Sequence, residues 1–470
     1  MRNGWRRPPF PRGALLALVA AVAYACGSPP DDRAASDGPP DAPEASSPGD
    51  AVPGTAAVAA LAGFDTWCGR GADLWGRELC GPLVLVDSGT RRALANARPP
   101  DPTFTTVAGE PGRWTGTLAD SISLANTAFQ WGDQRWSMVL LPLPEDAYDR
   151  TALLAHESFH RIQPSLDLEA PTPVPPHLQE RTGRLWLRLE IRALAEALRS
   201  SGDAALRAAR DAALFRRARH DAHPGADTLE ADLEIHEGLA AYTGSRVARD
   251  VLDVDDARVA EEVARQGDRD SYGRSFAYAT GPALGILLDR WAPGWRDDVG
   301  RDAPLHGLFE GAVAPVSGDA VDRARGYGYE EIAAEEEARE RRMLARLDTL
   351  RRRFVEPPVL RIRSEDTRGS FDPTAIVTLG EHGTVYFRAT FQGAWGVLEG
   401  QESGVLVAPD WATLAVPGPV RDVDGGWAGP GWTLEPSEGW TVEGPEEGVW
   451  RIVPPPAGDA GSAPAFEEFR

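Results

Sequence analysis

Two periods of apolar residues alternate along this chain. Between residues 58 and 145 the apolar runs are short and broken by Gly, Pro and Asp, which is a strand pattern. "PLVLVD" and "RALANA" flank the turn residues "SGT" and predict a hairpin; "TFTTVAG", "RWTGTLA" and "RWSMVLLPL" follow as further strands. After "PLPED" the spacing becomes helical. Residues 146–163, 180–200, 203–222, 226–249, 282–291 and 328–353 read as helices. "RLWLRLEIRALAEAL" is the clearest, with Leu187, Ile191, Leu194 and Leu198 at helical spacing. Pro-rich "EAPTPVPPHLQ" and "RHDAHPGAD" separate these rods. From "EPPVLRIRS" to about residue 453 short strands return, carrying Trp395, Trp411, Trp427, Trp432, Trp440 and Trp450. These read as a small β domain whose tryptophans fill its core or rim, with glycan binding as the other reading.

Composition narrows the partners. A chain of 470 residues with 42% hydrophobic content can bury sizeable cores in more than one unit. The net charge is -22 and every basic residue is Arg, with no basic block. Such a chain repels a phosphate backbone, which excludes nucleic acid as an expected partner. The acidic-to-basic helix "YEEIAAEEEARERRMLARLDTLRRR" follows its own dipole and reads as a solvated connector.

The beginning of the chain reads as an export signal, residues 1–25. Arg2, Arg6, Arg7 and Arg12 precede "ALLALVAAVAYA", a run too short for a confident membrane span. "AYAC" resembles a bacterial lipobox with Cys26 lipidated; ordinary cleavage after Ala25 is the alternative, and Arg6-Arg7 hints at twin-arginine export. Cys68 and Cys80 are close enough to pair in an oxidising envelope, which leaves Cys26 for a lipid. Residues 26–57 are Pro-, Asp- and Ser-rich and read as a disordered tether.

Residues 153–163, "LLAHESFHRIQ", carry the sharpest chemistry. On a helix His156 and His160 lie one turn apart, so both imidazoles leave one face and can share a Zn²⁺. Glu157 lies about 100° around from His156 and borders that face, where a general base acting on water at the metal belongs. Leu153, Leu154, Phe159 and Ile162 flank the face and predict a largely buried helix. "RWSMVLLPLP" precedes it as an expected edge strand along the cleft, with Ser137–Leu143 open to pairing with an extended peptide. A chance H-E-x-x-H arises in roughly one such sequence in a hundred, so the alternative is a structural His-Glu-His cluster.

A catalytic zinc needs a third protein ligand and an open position. "LEIHEGLAAYTG", residues 233–244, offers Glu237 on one face with Leu233, Ala240 and Gly244, whose small pair lets two helices approach. Glu234 is a substitute ligand or a partner to one, whereas His236 points about 100° away. Glu190, on an apolar helix stripe, must find either a ligating imidazole or a nearby Arg.

H-E-x-x-H followed by E-G-x-A-x-Y resembles the gluzincin metallopeptidases, in particular the membrane alanyl aminopeptidase and glycyl aminopeptidase families. The resemblance implies one zinc ion on His156, His160 and Glu237, with Glu157 as base. "FAYATGPALGILLDRW" is similar to the Tyr-x-Lys-Gly segment of those enzymes, which makes Tyr278 the oxyanion donor, although Thr280 stands where they have Lys. Gly281-Pro282 is expected to start a helix, with Tyr278 at its mouth and Tyr242 in the core. The gap from His160 to Glu237 is longer than in those families. There is also no G-x-M-E-N segment to capture a free amine, so aminopeptidase specificity is not implied.

The expected fold is α+β: a β-rich part (58–145) packed on a helical gluzincin-like core (146–353), then a β domain (354–456) and a tail (457–470). The expected activity is zinc-dependent hydrolysis of peptide bonds in a peptide or protein substrate, at the bacterial cell envelope. The alternative is a catalytically silent scaffold acting as an envelope binding or assembly module. Without a lipid on Cys26 the chain is expected to be periplasmic or secreted.

Overall fold

The computed structural model describes residues 54–456, apart from 270, 315–317, 365–366 and 372–374. The export segment, Cys26, most of the tether and the 457–470 tail lie outside the described residues. The chain divides into two compact units, Met1–Glu336 and Glu337–Arg470.

The first unit opens with helices rather than strands. Helix α1 (Thr55–Trp67) buries Leu61, Phe64 and Trp67, and the short α2 (Gly71–Trp75) follows it. The last residues read as tether, Thr55 to Ala57, are therefore helical. Cys68 and Cys80 form a disulfide that closes the α2 segment onto itself.

Six strands follow: β1 (Leu83–Asp87), β2 (Arg92–Ala95), β3 (Thr105–Thr106), β4 (Trp114–Thr117), β5 (Thr127–Trp131) and β6 (Gln134–Leu141). They form one mixed sheet in the order β3-β4-β2-β1-β6-β5. The expected hairpin is β1–β2, with Leu85 opposite Leu94. β6 runs parallel to β1 and antiparallel to β5, so it is an interior strand and not the expected edge. The reason lies in its sequence: Val139 joins the core on the helical side, while Trp136 and Met138 join the core on the other side. A strand buried on both faces is largely apolar, as Trp136–Leu141 is apart from Ser137. The edge belongs to β5.

The helical layer comprises α3 (Ala147–Ile162), α4 (Arg181–Arg199), α5 (Gly202–Ala222), α6 (Ala226–Leu233), α7 (Leu239–Leu252), α8 (Asp256–Gln266), α9 (Ala277–Trp291), α10 (Leu305–Val313) and α11 (Ala320–Ala324). Asp146 caps α3, accepting from Asp149 N at 3.0 Å. A π-helical turn, Glu234–Gly238, joins α6 to α7. α8 was not legible as a helix, because its buried stripe is only Val259, Ala260 and Val263 beside Gln266. α9 starts at Ala277, so Pro282 lies inside it instead of opening it. The core of this layer includes Phe159, Leu187, Ile191, Leu194, Tyr242 and Leu287.

Helix α12 (Tyr329–Phe354) carries the division at Glu336, and in the second unit its last turns place Leu350 and Phe354 against Val385 and Leu406. Strands between Val359 and Val453 form a seven-stranded and a six-stranded sheet. Leu360, Val405 and Val416 of the first share one core with Phe391, Leu398 and Trp432 of the second, which makes a sandwich. Trp395 and Trp432 are core residues, whereas Trp411 is half exposed. Among the described residues no helix is long and apolar enough to cross a membrane.

Candidate metal centre

Three close contacts to backbone carbonyls assemble the site. A Cβ on Gly244 of α7 would lie 2.5 Å from Ala152 O of α3, so the two helices meet where the small residues allow it. A Cβ on Gly281 of α9 would lie 2.2 Å from Gly238 O, which draws α9 onto the π-turn. Ser137 of β6 donates to Glu157 O at 3.0 Å and ties the sheet to α3. His156, His160, Glu237 and Tyr278 converge as a result.

The spacings of the three side chains are ones that could hold a metal ion. His156 Nε2 and His160 Nε2 are 3.1 Å apart, and Glu237 Oε2 is 3.5 Å from each. A tetrahedral ion with bonds of about 2.0–2.1 Å separates its ligands by about 3.3–3.4 Å. The three atoms thus form one face of such a tetrahedron. Among the described residues this is the one group of acidic, His or Cys side chains with that property.

Glu157 stands beside this face with Oε1 4.0 Å from His156 Nε2. It is 1% exposed, and neither carboxylate oxygen has a hydrogen-bond partner. Buried carboxylates are normally satisfied, which sets Glu157 apart from the paired buried carboxylates Glu230 and Glu234. Burial pushes its carboxyl up, against the opposing effect of the two histidines. Glu237 goes the other way: burial raises it, but hydrogen bonds from His156 and His160 outweigh that and hold it well below the usual range. Burial opposes a charge on His160, and Glu237 overrides it, raising the ring's pKa.

Tyr278 donates to Glu237 Oε2 at 2.7 Å, and its ring stacks on His156 with centroids 5.5 Å apart. It stands in the first turn of α9, at the edge of the donor face. Tyr242 is in the core and donates to Asp289.

Two further candidate carboxylates, Glu234 and Glu190, both pair with arginine. Glu234 is no substitute ligand: Arg216 grips both of its oxygens at 2.9 and 2.7 Å. The π-turn is wider than an α-turn, so residues three apart no longer share a face there. Glu190 takes the arginine alternative, pairing with Arg216 at 2.7 Å and Arg219 at 2.6 Å. Arg219 also bonds Glu230, which accepts from His177 at 2.6 Å and His220 at 2.9 Å. His236 is off the donor face, yet its ring lies 5.0 Å from His160; burial and His160 lower its pKa to about 4.

Two residues at the site were not foreseen. Gln163 lies 2.9 Å from His160 Nδ1 through Oε1, and Arg274 donates to Glu237 Oε1 at 3.0 Å. Gln163 sits one turn beyond His160, which was the available signal. Arg274 sits one helical turn before Tyr278, in a turn whose position no periodicity fixes.

No protein-family model, no curated protein and no solved structure matches the chain.

Proposed function

We propose that this chain is a zinc-dependent metallopeptidase that hydrolyses peptide bonds at the bacterial cell envelope. One observation carries the reading: three metal-ligating atoms at tetrahedral spacing, with a buried carboxylate beside them whose oxygens have no partner. A structural His-Glu-His cluster would have no use for an unsatisfied Glu157.

His156, His160 and Glu237 would hold the ion. Zinc, when bound there, supplies a Lewis acid that polarises a carbonyl and lowers the pKa of water to about 7. Glu157 takes a proton from the attacking water on its carboxylate and returns it to the nitrogen as the C–N bond breaks. Tyr278 Oη exchanges its bond to Glu237 for the oxygen that gains charge in the transition state. The edge strand β5 is suited to pair with an extended peptide; its Ala128 lies opposite Ser137, which bonds the Glu157 carbonyl. Export and a lipid on Cys26 belong to the same proposal and set the protein on a membrane surface.

The test is a zinc titration followed by a generic peptide assay. One zinc per chain with peptide hydrolysis supports the reading, and Glu157→Gln is expected to abolish hydrolysis while zinc stays bound. Zinc binding without hydrolysis of any peptide in the wild type favours a binding or assembly module. Failure to bind zinc overturns both.

A further inference from the structure

Arg274 lies in the turn that leads into α9, and Nη2 is its contact with Glu237 Oε1. The other oxygen of Glu237 faces His156 and His160, so the guanidinium flanks the donor face across a single carboxyl group. Among the described residues Glu237 is its one ion-pair partner. The Arg274 side chain is 28% exposed against 7% for Glu237, so part of it stays open to solvent while Nη2 holds the carboxylate. Arg carries five N–H donors in a planar fork that matches a carboxylate with two parallel bonds. Support of Glu237 alone would need one of them.

The setting makes that cation selective. The chain's net charge of -22 disfavours anions at long range, so a fixed cation such as Arg274 is a place where an anionic group can be held. The turn bearing Arg274 is also backed by the Pro-rich segment before α4: a Cβ on Gly273 would lie 2.9 Å from Val174 Cγ1.

Resting on the peptidase reading, we propose that Arg274 is a carboxylate subsite, which recognises a carboxylate of the substrate close to the scissile bond. The carboxylate is either a free C-terminus or an Asp or Glu side chain, so the substrates are short carboxy-terminal or acidic peptides. Arg274 forms a two-pronged pair with that group while Nη2 keeps its contact with Glu237.

Binding tests this without turnover. Zinc-loaded full-length Glu157→Gln protein is titrated calorimetrically with three matched short peptides: a free acid, its C-terminal amide, and an amide carrying a glutamate. The free acid, the glutamate peptide or both are expected to bind at least about tenfold more tightly than the neutral amide, and which of them does identifies the source. Arg274→Gln is expected to erase that preference, and Arg274→Lys to keep part of it. Equal binding of all three peptides overturns the subsite. So does an equal loss for all three in Arg274→Gln, which would leave Arg274 as support for Glu237 only. Wild-type hydrolysis without carboxylate preference fails this inference alone, whereas a preference in binding with no wild-type hydrolysis fails the peptidase reading alone.

Discussion

Gln163 couples His160 to the backbone before Glu237 through a single amide. Its Nε2 lies 3.0 Å from Leu168 O, 3.0 Å from Ile235 O and 3.1 Å from His236 O. Carbonyls only accept, so the NH₂ end faces them and Oε1 accepts from His160 Nδ1–H. In the neutral ring this leaves the lone pair on His160 Nε2, facing Glu237 and His156. The same side chain braces the backbone immediately before Glu237. Gln163→Leu is expected to weaken zinc binding by about 10–100-fold. Gln163→Glu, which keeps the acceptor and loses the donors, should fall between. Competition against a chelator of known affinity measures both, and an unchanged zinc affinity in the Leu variant would remove Gln163 from the site.

The buried charges behind the π-turn give the fold a defined acid limit. Burial pushes Glu234 up, but the Arg216 guanidinium beside it outweighs this and holds the carboxyl at about 2. Glu230, gripped by Arg219, is also held well below the usual range despite its burial. A depressed folded value means the stabilisation is complete above the ordinary glutamate value of 4.5 and is lost as pH falls toward about 2. Denaturant unfolding followed from pH 6 downward should therefore show stability declining through that window. In Glu234→Gln the decline should be shallower, from a lower starting stability. Arg216→Met strands buried carboxylates and is expected to cost about 3–5 kcal/mol at neutral pH.

Gly244 tests whether helix approach positions the ligands. Any side chain there meets Ala152 O, so Gly244→Val must push α3 and α7 apart. Overpacking of this kind typically costs about 1–3 kcal/mol. Because His156 and His160 ride on α3 and Glu237 sits just before α7, zinc affinity should fall together with thermal stability. A variant that loses stability yet binds zinc as before would show that the donor face does not depend on this contact.

What the sequence disclosed follows the range of each signal. His156, Glu157 and His160 are neighbours on one helix, so their relation is set by the helical period and is visible in five residues. Glu237 could be found because Ala240 and Gly244 mark a face that accepts another helix. Glu234 was misplaced because the same period was assumed through a segment that is π-helical, and no propensity announces a π-turn. Gln163 carried only its place one turn beyond His160, because its other partners are backbone carbonyls, two of them about seventy positions away, which leave no side-chain pattern. At the level of the fold, the β1–β2 hairpin carried its own turn signal, whereas the placement of β6 inside the sheet depends on a parallel pairing with β1 that only the topology supplies.

Tyr278 offers the most direct test of the chemistry, because its ring and its hydroxyl do different things. The ring stacks on His156, and the hydroxyl donates to Glu237 Oε2. Tyr278→Phe keeps the stack and removes the donor. If the hydroxyl serves the transition state, kcat should fall by about 10²–10³ while KM stays within a few-fold. Zinc content should remain at one per chain, measured on the same preparation by metal analysis. A rate loss accompanied by loss of zinc would assign the hydroxyl to ligand support instead, since Glu237 Oε2 would then have lost the bond that orients it. An unchanged kcat with zinc retained would leave charge development in the transition state to the ion and to other donors, with His236, whose ring lies 5.0 Å from His160, to examine next.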